Sequence, residues 1–390
     1  MRSQFNKAKL PINLISAFSE RKFGAQNFYG VTSPAAVPYE VTQASLIGLS
    51  TEIKKGNFTW KPRMYWRRNQ DEYIFIRANP SVYRNLHITN KIAAELNASY
   101  ESKLGTTGFG LEFSKYMIQS NNLGDAEREI ATLFLEHRFT FFNNVLDVTP
   151  GVAVSYFSDF DNKAFPGIDV GVKLSERLRM YSNVGYTYRV PTYTDLNYSD
   201  PSTLGNPDLQ AERAFAQELG VKYHANAVDF TVAFFNRNTE NFIDYRRATP
   251  ADFWEPVNID VQTKGFESSL KYSFTTNSIK HQVQYGYTYI DDNIETDLTS
   301  KNGINSMRHQ IVFGYNVQLF KGFNQNISYR YVERTSGVSY NVYDLNTTYR
   351  WKNAEASILA QNIFNTAYFE NTFVPMPKGN VLFGLKFYFQ

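Results

Sequence analysis

The sequence contains no cysteine among its 390 residues. Disulfide frameworks and thiolate metal sites are therefore excluded. It also lacks an uninterrupted apolar run of about 18 residues, so no transmembrane helix is predicted. The first ten residues, Met1 to Leu10, are polar and show no long apolar segment after their basic residues. A secretory signal peptide is therefore not expected at this end.

The sequence also lacks a large excess of charge of one sign and any recognisable group of catalytic residues. The net charge is only +3 and the basic residues are scattered, so nucleic-acid binding is not predicted. None of the five histidines has a nucleophile or acid constellation nearby in sequence, so no catalytic residue is predicted and the chain is not expected to be an enzyme. The acidic runs Asp159 to Asp161 and Asp291 to Asp297 could bind calcium, because hard cations take clustered carboxylates. Neither run matches an EF-hand loop, so solvated loop charge is the favoured interpretation. No metal site or cofactor is predicted.

Aromatic residues, by contrast, are abundant. They make up 16% of the chain, although the mean hydropathy is only −0.41. The last stretch, Val381 to Phe389, alternates with a period of two, so that one face is wholly apolar. An aromatic final strand of this kind is typical of outer-membrane barrels, although a sandwich could also bury such a face. In a membrane barrel, Phe383, Leu385 and Phe387 are predicted to face lipid.

The same alternation recurs along the chain in segments of about ten residues. Clear examples lie at residues 92–100, 283–289, 313–319 and 343–351, where the second face is small, amide or charged. Alternation alone does not distinguish a sandwich from a barrel with a wet lumen.

The connections between these segments distinguish the two folds, because they alternate strictly between short and long. The short connections are predicted at residues 54–57, 103–108, 143–146, 175–177, 225–227, 276–278, 321–323 and 352–353. The long connections are predicted at residues 29–39, 79–89, 119–128, 158–166, 191–211, 246–258, 291–307, 334–341 and 366–379. This order predicts an all-β protein, a transmembrane antiparallel up-and-down β-barrel of about eighteen strands with both termini on the short-turn rim.

Several motifs resemble the barrel signature of TonB-dependent outer-membrane receptors. The longest runs Tyr-Thr-Tyr-Arg-Val-Pro-Thr-Tyr-Thr-Asp-Leu from Tyr186 to Leu196, followed by Gly-Asn-Pro-Asp-Leu from Gly205 and by Glu212. Further matches are Gly265-Phe266-Glu267 and the segment from Gln361 to Tyr368. The early segment from Phe23 to Gly30 resembles iron-complex and cobalamin receptors of this family.

This resemblance implies a barrel of about 22 strands that is preceded by a signal peptide, a TonB-contacting segment and a plug. None of these is recognised here, so we expect residues 1–390 to be one partial receptor barrel domain with the plug absent. A first strand near Leu14 to Phe23 would then have to pair directly with Val381 to Phe389. Without that pairing, unpaired edge groups would oppose insertion, and a closed chain would be an unplugged, leaking pore.

The resemblance also implies a function in the outer membrane of a Gram-negative bacterium. The expected ligand is an iron-siderophore complex or cobalamin, and the TonB complex would be contacted only through the missing N-terminal region. The alternative is a passive, porin-like channel. Pro191 and the turn residues Gly205 to Asp208 are interpreted first as elements that order a loop and guide barrel closure, ahead of ligand contact.

Ligand contacts are expected from aromatic and cationic side chains in three long connections, since rings and cations suit an aromatic, often anionic chelate. The candidates are Tyr193, Tyr198, Arg246, Arg247, Trp254, Tyr368 and Phe373.

Overall fold

The computed structural model describes residues 2–7, 10–27, 36–301, 307–371 and 374–389, with side chains from residue 11 onward except that of Asn371. The first strands are β1 (Arg2–Lys7), β2 (Leu10–Gly24), β3 (Tyr39–Thr51), β4 (Ile53–Lys55), β5 (Phe58–Ile74), β6 (Arg84–Ser102), β7 (Gly105–Ser120) and β8 (Ala126–Phe141). They are followed by β9 (Leu146–Phe157), β10 (Lys163–Lys173), β11 (Leu178–Arg189), helix α1 (Tyr193–Asn197), β12 (Ser199–Asp200), β13 (Thr203–Leu204), β14 (Glu212–His224), β15 (Val228–Arg247) and β16 (Glu255–Thr276). The last are β17 (Ile279–Ile294), β18 (Thr299–Ser300), β19 (Met307–Phe320), β20 (Phe323–Arg334), β21 (Ser339–Trp351), β22 (Ala354–Gln361), β23 (Phe369–Asn371), β24 (Val374–Pro375) and β25 (Asn380–Phe387).

Twenty-one of these strands form one sheet in which each long strand pairs antiparallel with its sequence neighbours. The wall therefore has up-and-down topology, as predicted. Apart from the short segments β4 and β18, it consists of eighteen long strands and the six-residue β1. The predicted barrel wall of about eighteen strands is confirmed.

Cross-strand register separates the two faces of this wall, because residues that pair directly share a face. One row on the first face consists of Val381, Ala360, Leu345, Ile327 and Tyr315. A row on the second face consists of Leu359, Asn346, Asn326, Asn316 and Gln282. The first face is apolar and suits lipid, whereas the second is largely amide and suits a wet lumen.

The final strand lies on this pattern as expected. Phe383 pairs with Ile358 and Leu385 pairs with Ala356, so both side chains belong to the apolar face. They are 80% and 76% exposed. These exposures and the register support the prediction that this face of β25 contacts lipid. Among the described residues, none forms a helix long and apolar enough to cross a membrane.

Tight turns close the wall at one rim. The turn between β19 and β20 needs Gly322, whose φ is +86° and whose added Cβ would lie 2.2 Å from the Arg350 carbonyl oxygen. At the opposite rim the long connections vary more than the sequence predicts. The connection after Ser120 and the one after Arg334 are short, since the next strands begin at Ala126 and Ser339.

The two edges of the sheet differ from the prediction. β1 precedes the expected first strand and pairs with β2 from Leu10 to Ile15, so the prediction that Leu14 to Phe23 opens the wall is wrong. Among the described residues, β25 pairs with β22 alone and β2 with β1 and β3, so the predicted β2–β25 pairing is not formed. Sequence alternation missed β1 because Phe5 is its only apolar residue.

Candidate functional site

The candidate site lies at the long-loop rim, in the connection between β11 and β14. Pro191 ends β11 because it has no backbone N–H to donate to the next strand. Helix α1 then begins after Thr192, whose hydroxyl accepts a hydrogen bond from the Asp195 backbone N–H at 3.1 Å. The Asp195 carboxylate in turn accepts from the Thr192 backbone N–H at 2.9 Å. This reciprocal capping box fixes where the connection leaves the wall.

A buried charged network holds the base of this connection. The Arg189 guanidinium lies 2.5 Å from a Glu212 carboxylate oxygen and 3.4 Å from an Asp195 carboxylate oxygen. Glu212 also accepts from the Ile243 backbone N–H at 2.8 Å, and Asp195 accepts from the Tyr245 hydroxyl at 3.3 Å. Because Asp195 and Glu212 are only 7% and 5% exposed, these bonds replace their lost hydration. The network ties the connection to both β14 and β15.

A two-strand hairpin, β12 and β13, projects from this base, and we call residues 198–204 the mouth hairpin. It is closed by the Gly205 N–H, which donates to the Tyr198 carbonyl at 2.6 Å. A Cβ on Gly205 would lie 2.8 Å from the backbone of Leu196 and Asn197, so glycine is required for this close approach. The Asn206 side chain then donates to the Pro256 carbonyl at 3.1 Å and fixes the exit.

On one side the mouth hairpin is bonded to two other connections. The Asn122 amide nitrogen donates to the Ser199 carbonyl at 2.7 Å, which joins it to the β7–β8 connection. The Tyr198 hydroxyl lies 3.3 Å from the Tyr83 hydroxyl in the β5–β6 connection. Burial is the main reason that the pKa of Tyr198 is raised above its ordinary value, so this hydroxyl stays protonated at neutral pH.

On the other side the mouth hairpin is bonded to the β15–β16 connection and to the segment after β18. The Trp254 N–H donates to the Ser202 carbonyl at 2.9 Å, and the Leu204 N–H donates to the Trp254 carbonyl at 3.0 Å. The Lys301 ammonium donates to the Thr203 hydroxyl at 2.6 Å. Thr203 is only 1% exposed, so its bond to Lys301 is buried. The mouth hairpin therefore links the β7–β8 connection to the β15–β16 connection, although these two are not neighbours around the rim.

A buried cation supports the same region. Arg128, at the start of β8, donates to the Asp159 carboxylate at 2.8 Å and to the Pro191 carbonyl at 3.0 Å. Its guanidinium lies 5.0 Å from the ring centre of Phe160 and 5.2 Å from that of Tyr193. The Tyr193 hydroxyl is buried without a hydrogen-bond partner in the described structure, and burial raises its pKa. Asp159 therefore forms an ion pair with Arg128 in this structure.

The connection between β22 and β25, residues 362–379, forms a separate part of the rim, and we call it the terminal loop. It is anchored by an apolar cluster of Val332, Tyr340, Val342 and Tyr368. The rings of Tyr340 and Tyr368 lie 4.6 Å apart. At its base, the side chain of Asn362 bonds the two ends of the loop, because its amide nitrogen donates to the carbonyls of residues 366 and 377.

The seven predicted ligand residues are not brought into one group. Tyr198 belongs to the mouth hairpin, and Tyr193, Arg247 and Trp254 lie near it. Tyr368 belongs to the terminal loop, and Phe373 lies outside the described residues. Arg246 is 4% exposed and its guanidinium is occupied by Asp244 and by the Leu298 carbonyl. Arg247 stacks over the Trp254 ring at 4.0 Å. Both residues remain partly accessible, and Arg247 lines a cavity of about 170 Å³ together with Pro201 and Phe253.

Sequence reasoning missed the residues that bridge the rim. Tyr83, Asn122, Arg128 and Lys301 all contact the β11–β14 connection from distant positions in the chain. No local spacing marks these residues, because their partners are set by barrel closure. Within the described ranges, no three His, Asp or Glu side chains are grouped closely enough to hold a metal ion.

Comparison with known proteins relates this barrel to outer-membrane receptors. The vitamin B12 transporter BtuB of Vibrio vulnificus is 24% identical over 165 residues, which is 42% of this chain and 26% of that protein. The aligned part therefore spans well under two thirds of this curated relative.

Solved structures show the same fold at low identity. The siderophore receptor PirA from Acinetobacter baumannii superposes with a TM-score of 0.78 at 14% identity, over 99% of this chain and 69% of that chain. The copper transporter OprC superposes with a TM-score of 0.82 at 12% identity, over 99% of this chain and 71% of that chain.

A family model described as TonB dependent receptor-like, beta-barrel, matches residues 4–365. The fold and the family are those of receptors and transporters in the outer membrane of Gram-negative bacteria. Because this match extends over most of the chain, the protein belongs to the TonB-dependent receptor β-barrel family.

Proposed function

We propose that this chain is the barrel wall of a receptor that takes up an iron-siderophore complex or cobalamin with energy from the TonB complex. Contact with the TonB complex is assigned to a plug and a TonB-contacting segment of the complete receptor. The names of the relatives support this class of ligand, since they include a vitamin B12 transporter and siderophore receptors. The proposal concerns the complete receptor in which this wall operates.

The observation that carries the proposal is the bonded long-loop rim. The mouth hairpin is held by Asn122, Trp254 and Lys301, so these connections form one surface that a large ligand meets as a whole. That surface presents the stacked pair of Arg247 and Trp254. A planar, anionic chelate suits such a pair because cations and ring faces both stabilise it in a partly desolvated site.

The ligand is identified by growth of a strain that depends on this receptor, with ferric siderophores, cobalamin or free iron as the defined source. We expect growth on one chelate or on cobalamin at concentrations too low for diffusion. Growth on every source in proportion to its concentration would contradict uptake by a selective receptor.

The role of the stacked pair is tested by direct binding to the purified complete receptor. Replacing Arg247 and Trp254 jointly with Ala is expected to weaken ligand binding by about 1–2 kcal/mol, roughly five- to thirtyfold in Kd. Arg246→Ala is not a clean control because Arg246 is buried and bonded. Lys378→Gln, at the exposed base of the terminal loop, is the matched control and should leave Kd unchanged. An unchanged Kd in the double variant would remove this pair from the ligand site.

A passive channel is the alternative function. The bonds across the mouth oppose it, because they place the mouth hairpin between connections that an open pore would leave apart. Swelling of liposomes that contain the complete receptor separates the two. Selective uptake predicts tight vesicles, whereas a porin predicts swelling that follows solute size.

A further inference from the structure

The barrel is electrically polarised along its axis. We call the following segments the turn rim: residues 52–58, 101–105, 140–147, 173–179, 222–229, 271–280, 320–323, 350–355 and 386–388. They contain thirteen Lys and Arg residues against six Asp and Glu residues, a net charge of +7. The rim at the opposite end comprises, among the described residues, 25–27, 36–38, 69–84, 119–128, 157–163, 189–213, 240–260, 291–301, 307–308, 333–340, 361–371 and 374–380. It contains twelve basic and twenty-one acidic residues, a net charge of −9.

The positive charge of the turn rim is available to a partner. Lys55, Lys103, Lys321 and Lys352 lie in the tight turns and are exposed. No ion pair joins any of these four to an acidic residue in the part of the chain that the structure describes. By contrast, acids of the opposite rim commonly have basic partners, as Glu212 has in Arg189 and Asp159 has in Arg128. The turn rim therefore carries excess charge that no protein group neutralises.

Exposed rings accompany these lysines. Trp351 is adjacent in sequence to Lys352, whose ammonium lies 5.0 Å from the Trp351 ring. Phe320, which precedes Lys321, is also exposed, as is Phe142 in a turn that carries no lysine. Rings of this kind occupy the boundary between hydrocarbon and headgroups, and the lysine stems beside them reach outward to the headgroups. The free charge is thus positioned at the height of the lipid phosphates.

From this charge and its position we propose that the turn rim binds anionic glycerophospholipid headgroups, such as phosphatidylglycerol, in the membrane leaflet on the short-turn side. Each lysine near an anionic surface attracts it electrostatically, and the attraction falls off within a Debye length. The opposite rim, with its net charge of −9, would repel the same headgroups. The preference would also favour insertion with the turn rim against the anionic leaflet.

The test uses the complete receptor in vesicles of phosphatidylcholine alone or with one fifth phosphatidylglycerol. Brominated phosphatidylglycerol quenches tryptophan fluorescence on contact, and Trp351 is the reporter next to Lys352. We expect brominated phosphatidylglycerol to bind at least about fivefold more tightly than brominated phosphatidylcholine, since one lysine near an anionic surface contributes about that factor. Added salt should reduce the preference because exposed charges are screened.

A charge-matched pair of variants locates the effect. Replacement of Lys55, Lys321 and Lys352 with Gln should abolish the preference for phosphatidylglycerol. The control variant replaces Lys163 and Lys378 of the opposite rim, and Lys22 near the end of β2 beside that rim, with Gln. It removes the same charge from that end and should keep the preference. A gel-mobility shift on heating confirms that both variants are folded. Equal preference for phosphatidylglycerol in all three proteins would overturn the proposal. The absence of any preference in the wild type would also overturn it, and an acidic protein surface would then be the expected partner of the turn rim. This test is independent of ligand uptake.

Discussion

Two parts of the long-loop rim, the mouth hairpin and the terminal loop, are held mainly by different kinds of interaction. The mouth hairpin is fixed by charged and polar bonds, with Arg189 and Glu212 at its base. The terminal loop is fixed mainly by packing, with Tyr368 set against Tyr340 and Val332, and the Asn362 hydrogen bonds at its base add to this. Removing one partner of a buried bond leaves the other unsatisfied, whereas removing a packed ring leaves a cavity. The mouth hairpin is therefore expected to depend on single polar partners, and the terminal loop on the volume of its packed rings.

The largest effect is expected at Glu212. Glu212→Ala leaves the Ile243 N–H without its acceptor and Arg189 with Asp195 as its remaining partner, so the free energy of unfolding should fall by about 2–4 kcal/mol. Denaturant unfolding in detergent micelles measures this loss. The matched control is Glu240→Ala, whose carboxylate is exposed and 3.7 Å from Arg213, and which should change stability by less than about 1 kcal/mol. Equal losses in the two variants would show that the buried network does not hold the base.

A smaller loss is expected at Tyr368, on the packed side of the comparison. Tyr368→Ala removes a ring from the apolar cluster and should lower stability by about 2–3 kcal/mol, with release of the terminal loop to protease. Tyr368→Phe keeps the ring and loses only a long contact of 3.4 Å to Arg330, so it should stay within about 0.5 kcal/mol of the wild type. If Tyr368→Phe lowered stability as much as Tyr368→Ala, the hydroxyl and not the packed ring would hold the terminal loop. The contrast with the mouth hairpin would then be wrong.

Gly205 tests whether close backbone packing, as well as polar bonding, holds the mouth hairpin. Gly205→Ala forces a Cβ against the backbone of Leu196, so α1 and the mouth hairpin must separate, at about 1–3 kcal/mol. A spin label on Ser202, which is exposed, should show greater mobility in this variant. Gly337→Ala is the control, because a Cβ there meets nothing within 4 Å, although its φ of +79° still adds about 1 kcal/mol of strain. An immobile label in Gly205→Ala would exclude the steric role of this glycine.

The smallest effect is expected at Tyr83. Tyr83→Phe removes the 3.3 Å contact with the Tyr198 hydroxyl and the 3.0 Å bond from the Asn85 amide. The expected loss is about 0.5–1.5 kcal/mol, because each neutral hydrogen bond contributes little net stability. The same spin label on Ser202 should move slightly more, but less than in Gly205→Ala. If the label moved more in Tyr83→Phe than in Gly205→Ala, the contact between Tyr83 and Tyr198 would be the main anchor of the mouth hairpin.

Much of the wall could be predicted from the sequence, because side-chain alternation with a period of two survives wherever one face meets lipid. The rim could not be predicted to the same extent. Arg246 was placed in a connection, but β15 continues to Arg247 after a register shift between Thr239 and Phe242. The residue at the shift, Asn241, adopts a φ of +56°, and no simple alternation signals it. The contacts of Tyr83 and Lys301 depend on which connections meet at the long-loop rim. Local sequence patterns do not indicate which connections these are.

The structural interpretation of the motif from Tyr186 to Glu212 agrees with the contacts that its polar residues make. Arg189, Asp195 and Glu212 bond one another or backbone groups of neighbouring strands. Their role as ligand contacts is therefore less favoured than that of Arg247 and Trp254. The roles of the seven predicted ligand residues stay predictions until binding is measured.

The direction of the edge strands sets a parity rule for closing the wall. Neighbouring strands alternate in direction, and β1 and β25 are the first and the nineteenth in the series, so both run toward the turn rim. Two strands that run the same way cannot pair as antiparallel neighbours. If the wall is closed by antiparallel pairs alone, any segment between β25 and β1 must therefore contribute an odd number of strands, whereas an even number requires one parallel pair at the closure.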